Sequence, residues 1–337
     1  MLETAKMNGN GNGKTNRFAA ALRRLPPVTW VVLAILVFFA FTSSGFFTTS
    51  NLLSIVRQGS FLWMMATAAT IVLLSEGLDL SLGSVMTLSG VVAAMLLNLG
   101  VPAPIAALGG IMVGVISGAI NGMLISVFKM PAFISSLGMM SVVGGLAVVI
   151  TKASSIVVRD EGFIFFGAGN ILGIPMPVII SILVFGFTYL MLYHTAFGRY
   201  IIAIGGNQAG ARLSGVNVDK YRWLVFVFSG VVAALTGVIL AARLQTADPT
   251  VGVRWEFDAV AAAILGGTST KRGNGGINGT IMGVLLIAIL RNGLNVFSFP
   301  LLNITSVPAI WQSFVVGLVL LSAIVFDVTI RRRGNQQ

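Results

Sequence analysis

The sequence predicts an all-α polytopic membrane protein with about ten transmembrane helices, one of them short or re-entrant, and with both termini in the cytoplasm. Hydrophobic residues make up 56% of the 337 residues and charged residues only 9%, whereas soluble domains carry about 25% charged residues. Residues 80–128, 131–151 and 292–326 contain no charged side chain at all. A β-barrel would instead alternate polar and apolar positions over segments of about ten residues. The continuous runs therefore indicate helices, each needing about 20 apolar residues to cross a bilayer.

The chain divides into two polar tails and one membrane domain. Residues 1–25 are polar and rich in Gly and Asn, which is typical of a disordered tail, here cytoplasmic. Residues 26–330 form the predicted transmembrane domain, and residues 331–337 form a basic cytoplasmic tail. The first apolar run, 28–46, follows arginines as in a signal peptide, but no A-x-A cleavage site comes after it. We therefore interpret this run as a retained helix.

The remaining apolar runs predict nine further helices. They are expected at about 59–75, 84–98, 104–128, 131–151, 177–194, 223–244, 258–268, 277–298 and 307–326. The run at 258–268 is too short to cross a membrane alone. It is either half of a crossing or a re-entrant segment buried in protein, where non-helical backbone is tolerated.

The distribution of basic residues supports this topology. The formal net charge is +11, but the Lys and Arg residues lie in short segments between apolar runs, which indicates a lipid bilayer and not nucleic acid as the partner. With the N-terminus inside, roughly three-quarters of the 21 basic residues fall in cytoplasmic segments, as the positive-inside rule requires. The chain has no cysteine and one histidine, so we expect no metal site and no bound cofactor.

Two glycine stripes indicate close helix packing. Gly110, Gly114, Gly118 and Gly122 lie four residues apart and so form one smooth face of a helix. Gly275, Gly279 and Gly283 repeat this spacing before and into the helix at 277–298. Small residues let helix backbones approach closely in membranes, where glycine is common at helix interfaces.

The segment 195–222 is the longest connection between helices on the basic side. Asn207 and Gln208 can begin a short helix, and Gly215 can end it. A small apolar helix exposed to the cytoplasm indicates either a protein partner or an ordinary amphipathic surface helix. The candidate contact residues are Gly198, Arg199, Gly205, Asn207, Ala209, Ala211, Arg212, Leu213, Ser214 and Gly215.

This segment resembles the coupling loop of membrane subunits of bacterial ABC sugar importers, the ribose-type permease family. Other segments resemble family motifs in the same order: 75–84 (SEGLDLSLGS), 131–140 (PAFISSLGMM), 256–269 (EFDAVAAAILGGTS) and 292–295 (NGLN). The resemblance covers about residues 28–330. The chain departs from the family where Gln208 replaces a usual Pro and Gly210 a usual Glu. Contact with the partner would then depend more on shape than on charge.

The resemblance implies a transport subunit and not an enzyme. Two such permeases, identical or sister chains, would form the pathway in the bacterial inner membrane. A cytoplasmic ABC ATPase carrying ATP and Mg would dock on the coupling loop, and a periplasmic or lipid-anchored binding protein would deliver a small sugar. A pentose such as ribose is the favoured substrate.

Polar residues within the apolar runs are candidates for function. The acids Glu76, Asp79 and Asp258 lie at breaks between helices, where they either function directly or cap helix N-termini, the interpretation we favour. The candidate pathway residues are Asn121, Arg291, Asn292, Asn295 and Gln312. The amides could bind sugar hydroxyls or, more commonly, neighbouring helices. Arg291 could line the pathway, reach the interface or pair with an acid.

Two alternative functions remain. A gradient-coupled secondary transporter of a small polar solute would keep ionisable residues deep in the membrane, and the sequence places no acid clearly there. A membrane serine protease could use Ser269, which lies in a G-x-S-like sequence, but that chemistry needs a general base. The single histidine, His194, is expected at the end of another helix and is a poor partner.

Overall fold

The computed structural model describes residues 27–43, 45–269, 273–297, 311–312, 314–319 and 321–322. The two predicted tails, 1–25 and 331–337, and much of the predicted helix at 307–326 lie outside these residues. The helices are α1 (Pro27–Thr42), α2 (Thr49–Leu74), α3 (Leu82–Asn98), α4 (Ala103–Ser126), α5 (Ala132–Thr151), α6 (Glu161–Ala168), α7 (Met176–His194), α8 (Ala196–Gly206), α9 (Gln208–Leu213), α10 (Val218–Leu244), α11 (Trp255–Leu265) and α12 (Ile277–Val296). The strands are β1 (Ile156–Val157), β2 (Asn170–Ile171), β3 (Ile174–Pro175) and β4 (Thr246–Ala247).

Six of these helices, α2, α4, α5, α7, α10 and α12, are long and apolar enough to cross a membrane, within the part of the chain that the structure describes. Helices α1 and α3 are apolar but shorter, and α11 has only 11 residues. The protein is therefore a helical, multi-pass membrane protein. The full count of ten crossings and the cytoplasmic position of both termini stay predictions.

Helix α2 begins ten residues before the predicted start at 59. Thr48 has extended backbone angles, and its side chain accepts a hydrogen bond from the backbone N–H of Asn51. This is an N-cap, which satisfies one of the free donors of the first turn. The polar residues after Thr48 interrupt the apolar run, so hydropathy does not indicate this start, whereas the capping threonine does.

Helix α10 lies at the centre of the bundle and packs most extensively against α4. A Cβ atom added to Gly114 would collide with the backbone carbonyl of Gly230, and one added to Gly118 would collide with the carbonyl of Phe226. The glycine stripe of α4 is therefore confirmed as a packing face, since only glycine lets these backbones come so close.

Helix α11 packs against α12 through a second, shorter glycine contact. A Cβ atom on Gly283 would collide with the carbonyl of Ala262, and one on Gly279 with the carbonyl of Gly266. Helix α11 occupies 255–265, three residues before the predicted 258–268. The predicted short segment is thus confirmed, and it is held to the following helix by backbone contact.

The regions between the long helices contain structure that the apolar runs did not predict. Segment 195–222, expected to be mostly loop, is largely the two helices α8 and α9. At the other end of the bundle β1 pairs with β4, placing Ile156 opposite Ala247. Asp248 follows β4 and accepts hydrogen bonds from Thr250 and from the Ser155 hydroxyl. These bonds lower the pKa of the Asp248 carboxyl.

Candidate coupling surface and polar interior

Helices α8 and α9 (196–213), named here the coupling segment, form a helical pair at one end of the bundle. The Asn207 side chain accepts a hydrogen bond from the backbone N–H of Gly210 at 2.9 Å and so caps α9. Gly215 has φ +84, a conformation that glycine adopts without strain at the end of a helix. The helix start and stop predicted from the sequence are both present.

The side chains of α9 divide into an inner and an outer face. Ala211 is 6% exposed and packs with Ile204 and Val218. Leu213 is 91% exposed, and Ala209 is also exposed. Ala211, predicted as a contact residue for a partner, is thus mostly covered by its own chain, where its side chain holds α9 to α10. The outward surface consists of Ala209, Arg212 and Leu213.

Helix α8 is fixed to the bundle by its glycines. A Cβ atom on Gly205 would collide with the carbonyl of Leu74, the last residue of α2, and would also crowd the Cα of Gly273. Gly198 is buried in the same way against the carbonyl of Leu192. These two predicted residues therefore have packing positions inside the molecule, whereas Arg199 and Ser214 are exposed.

An ion cluster joins the coupling segment to two other elements. Asp219, in the first turn of α10, accepts an ion pair from Lys129 at 2.7 Å and another from Arg212 at 3.1 Å. Lys129 lies in the turn between α4 and α5. The side chains are roughly half exposed, so each pair contributes about 1 kcal/mol or less. Arg212, predicted as a coupling residue, thus also orients α9 on the bundle.

Asp79 lies buried in the bundle, in the turn between α2 and α3. It is 4% exposed. One carboxylate oxygen accepts hydrogen bonds from the backbone N–H and the hydroxyl of Ser81, and the other accepts one from Ser229 at 2.7 Å. Ser229 is the twelfth residue of α10 counted from Val218, or about 17 Å along that helix. Asp79 closes the turn before α3 and ties it to α10.

Asp258 and Arg291 form an ion pair between α11 and α12. Of the three interpretations of Arg291, pairing with an acid is the one that the structure supports. Glu76, the third predicted acid, is exposed at the turn after α2 with φ 56. Glu256 was not singled out from the sequence. It is 4% exposed and lies against Gly83 in the first turn of α3, where a carboxylate is favoured by the helix dipole.

The candidate pathway residues do not form a single group. Asn121 is buried and accepts a hydrogen bond from Ser135 at 2.5 Å, which links α4 to α5. Gln312 donates to Asn295 at 2.8 Å. Asn292 is 4% exposed, and its side-chain oxygen has no protein partner in the described residues. Interhelical hydrogen bonding, the commoner use of such amides, accounts for Asn121.

Long apolar helices, two shorter helices that start inside the bundle and a helical segment fixed to one end define a polytopic membrane protein. The family model described as the permease component of the branched-chain amino acid transport system matches residues 51–324. The chain belongs to this family, as a ribose-type ABC permease.

Characterised relatives cover nearly the whole chain. The ribose import permease of Escherichia coli (strain K12) is 40% identical over 88% of this chain and 92% of its own length. The D-allose transport system permease protein of the same strain is 37% identical over 89% of this chain and 90% of its own length. The L-arabinose ABC transporter permease protein of Azospirillum brasilense is 33% identical over 91% and 88%, respectively. No solved structure gives a significant match.

Membership of this family sets the class of activity. The chain is a multi-pass protein of the bacterial inner membrane and a permease component, not an enzyme. In such importers the ATPase is a separate subunit, and a substrate-binding protein is a further partner. Both alternatives, the protease and the gradient-coupled transporter, are disfavoured by this membership.

Proposed function

We propose that this chain is the membrane-spanning permease subunit of an ATP-driven importer for a small sugar, with ribose as the favoured substrate. The observation that carries the proposal is its similarity to ribose import permeases, 40% identical in Escherichia coli and 37% identical over 93% of the chain in Bacillus subtilis. The D-allose and L-arabinose relatives make other small monosaccharides the competing substrates.

The assembly would contain two permeases, either two copies of this chain or one copy with a sister chain. Each permease would cross the membrane about ten times with both termini in the cytoplasm. ATP and Mg would be held by the ATPase subunits. The binding protein, periplasmic or lipid-anchored, would approach the end of the bundle opposite the coupling segment.

In this proposal the ATPase contacts the coupling segment. Leu213 projects into solvent and is the large apolar side chain on the outer face of α9. An exposed leucine beside an exposed arginine suits a shallow pocket on a partner, because docking would bury the apolar surface of the leucine. Gln208 and Gly210 replace the Pro and Glu that are usual in the family motif. This contact would therefore depend more on shape than on charge.

Transport of labelled ribose tests the proposed function. The chain, its ATPase and its binding protein would be produced together in a strain that lacks its own ribose importer. We expect ribose uptake that requires ATP hydrolysis and persists when a protonophore removes the proton gradient. Preferential uptake of allose or arabinose would refute ribose as the substrate. Uptake by the chain alone, abolished by the protonophore, would instead establish the secondary transporter.

Substitution of Leu213 tests the docking surface. We expect Leu213→Asp to lower uptake about tenfold or more, since loss of roughly 1.4 kcal/mol of docking free energy gives a factor of ten. The amount of protein in the membrane should not change, because the side chain contacts little of its own chain. Ala211 is unsuitable for this test, since a large residue there would displace α9 itself.

Leu172→Asp is the matched control for this substitution. Leu172 is 97% exposed and lies between β2 and β3, at the opposite end of α7 from the coupling segment. Co-purification of the ATPase with this variant should stay near the level of the unmodified protein, whereas it should fall with Leu213→Asp. Equal co-purification with the two variants would contradict the docking role of Leu213.

A further inference from the structure

A cavity of about 230 Å³ lies between helices α2, α10, α11 and α12. Its wall includes Gln58 and Leu62 of α2, Arg243 near the end of α10, and Trp255 of α11. The coupling segment packs against the start of α10 and the end of α2. The cavity therefore lies towards the opposite end of the bundle, on the side from which the proposed binding protein would deliver its ligand.

The cavity brings together hydrogen-bond donors and acceptors from separate helices. Asp258 and Arg291 form an ion pair in its wall, with 12% and 41% of their side chains exposed. The Arg243 guanidinium lies 5.3 Å from the centre of the Phe61 ring, which orients it by a cation–π contact. Gln58 adds an amide, which can both donate and accept. These groups can bind a ligand with several hydroxyls.

The rest of the wall is apolar, which restricts the class of ligand. Leu62, Leu240 and the indole of Trp255 add apolar surface to the same wall. Monosaccharides have this same division, since one side of the ring presents C–H groups to an aromatic surface and the edges present hydroxyls. The volume lies below the range of roughly 300–1,000 Å³ usual for drug-sized ligands. A single sugar ring therefore suits the space better than a disaccharide.

We propose that this cavity is a monosaccharide-binding site through which the substrate passes between the binding protein and the interior of the permease. The proposal rests on the proposed function, since it names where that substrate contacts this chain. Trp255 contacts the ring face, and the Asp258–Arg291 pair, with Arg243 and Gln58, binds hydroxyls. The ion pair is retained with sugar bound, because hydroxyl groups can bridge it without taking either charge.

The site is tested in the complete importer, with its ATPase and binding protein, reconstituted in liposomes. Ribose uptake and ATP hydrolysis stimulated by the ribose-loaded binding protein are measured together. We expect Trp255→Leu and Gln58→Leu to lower uptake per ATP hydrolysed about tenfold and about threefold, respectively, while stimulated hydrolysis stays within about twofold. Trp30→Leu is the matched control, because Trp30 lies partly exposed on α1 outside the cavity. It should leave both quantities unchanged.

A photoreactive ribose that carries a diazirine gives a second readout that does not depend on transport. We expect it to label peptides containing Trp255 in the unmodified importer, with excess ribose preventing the labelling, and we expect labelling to fall in Trp255→Leu and in Gln58→Leu.

The proposal is overturned if both variants couple uptake to ATP hydrolysis normally, or if labelling falls elsewhere in the chain. It is also overturned if an acidic sugar competes with the label and neutral sugars do not, because the arginines would then bind an anion. Absence of ribose uptake by the unmodified importer would refute the proposed function itself, while competition by another neutral monosaccharide would keep the site.

Discussion

Helices α3 and α11 both begin inside the bundle, and each has a buried carboxylate near its start, but the two carboxylates have different partners. Asp79, before α3, accepts hydrogen bonds from Ser81 and Ser229. Asp258, in the first turn of α11, is paired with Arg291 at the wall of a cavity. One acid is enclosed by neutral hydroxyl groups, and the other is part of an ion pair that reaches open space.

This difference indicates two roles for helices that begin inside the bundle. Helix α3 is fixed, because the turn before it is tied to the central helix α10. Its first turn also contacts Glu256 of α11, so the starts of the two helices pack against each other. Helix α11 has a polar contact that a ligand in the cavity can reach. Discontinuous helices are common at transport sites because their ends bring polar groups into the membrane. Here one such end is structural and the other borders the proposed site.

The largest loss of stability is expected from a substitution at the contact between α10 and α4. This contact holds α10 in place, and α10 carries Ser229, the partner of Asp79. Gly230→Leu would force a side chain into the backbone carbonyl of Gly114, and overpacking of this kind costs about 3 kcal/mol or more. We expect loss of most monodisperse protein after detergent extraction and a large fall in the thermal unfolding midpoint. Gly186→Leu is the control, because a Cβ there meets no atom within 4 Å. Comparable losses in both variants would show that the contact is unimportant.

An intermediate effect is expected at the ion pair. Asp258→Asn leaves the Arg291 guanidinium without its counter-charge, which costs about 3–5 kcal/mol when the pair is fully buried and less here because the arginine is partly exposed. The double variant Asp258→Asn with Arg291→Gln should recover part of the lost stability, because no unpaired charge remains. Thermal unfolding of the four proteins in a double-mutant cycle measures this coupling. Additive losses would mean that the pair is not coupled.

The smallest loss of stability is expected when the same Asp→Asn substitution is made at Asp79, before α3. Asp79→Asn keeps the shape of the side chain and one acceptor oxygen, and no cation is bonded to Asp79 in the described residues. The hydroxyl of Ser229 can rotate to accept from the new amide, so we expect a loss of about 1 kcal/mol or less. Thermal unfolding should therefore separate Asp79→Asn clearly from Asp258→Asn. A larger loss at Asp79 than at Asp258 would mean that the negative charge of Asp79, and not only its shape, holds the turn before α3 against α10.

The sequence predicted those features that depend on local pattern. Apolar runs located the long helices to within a few residues at most ends, and the four-residue spacing from Gly110 to Gly122 predicted a packing face that meets α10. The cap at Asn207 and the glycine at 215 predicted the bounds of α9. Each of these depends on neighbours along one helix or turn.

Features that depend on the fold could not be predicted in this way. Asp79 is buried because the turn at residues 75–81 lies beside the middle of α10. Hydropathy along the chain does not indicate this contact. Ala211 faces inward because Ile204 and Val218 lie against it, although its position on α9 suggested a contact surface. The pairing of Asp258 with Arg291 joins residues 33 apart in sequence, and it requires α11 to fold back along α12.

Helix α2 connects the two ends of the molecule mechanically. Its last residue, Leu74, lies against Gly205 of the coupling segment, and Gln58, in the wall of the cavity, lies 16 residues earlier on the same helix, or about 24 Å away. A stiff rod of this length acts as a lever. A tilt of about 5° with Leu74 as the pivot would displace Gln58 by about 2 Å, which is comparable to the length of a hydrogen bond. A small movement imposed on α8 from outside the membrane is therefore large enough, at the far end of α2, to make or break contact with a sugar hydroxyl.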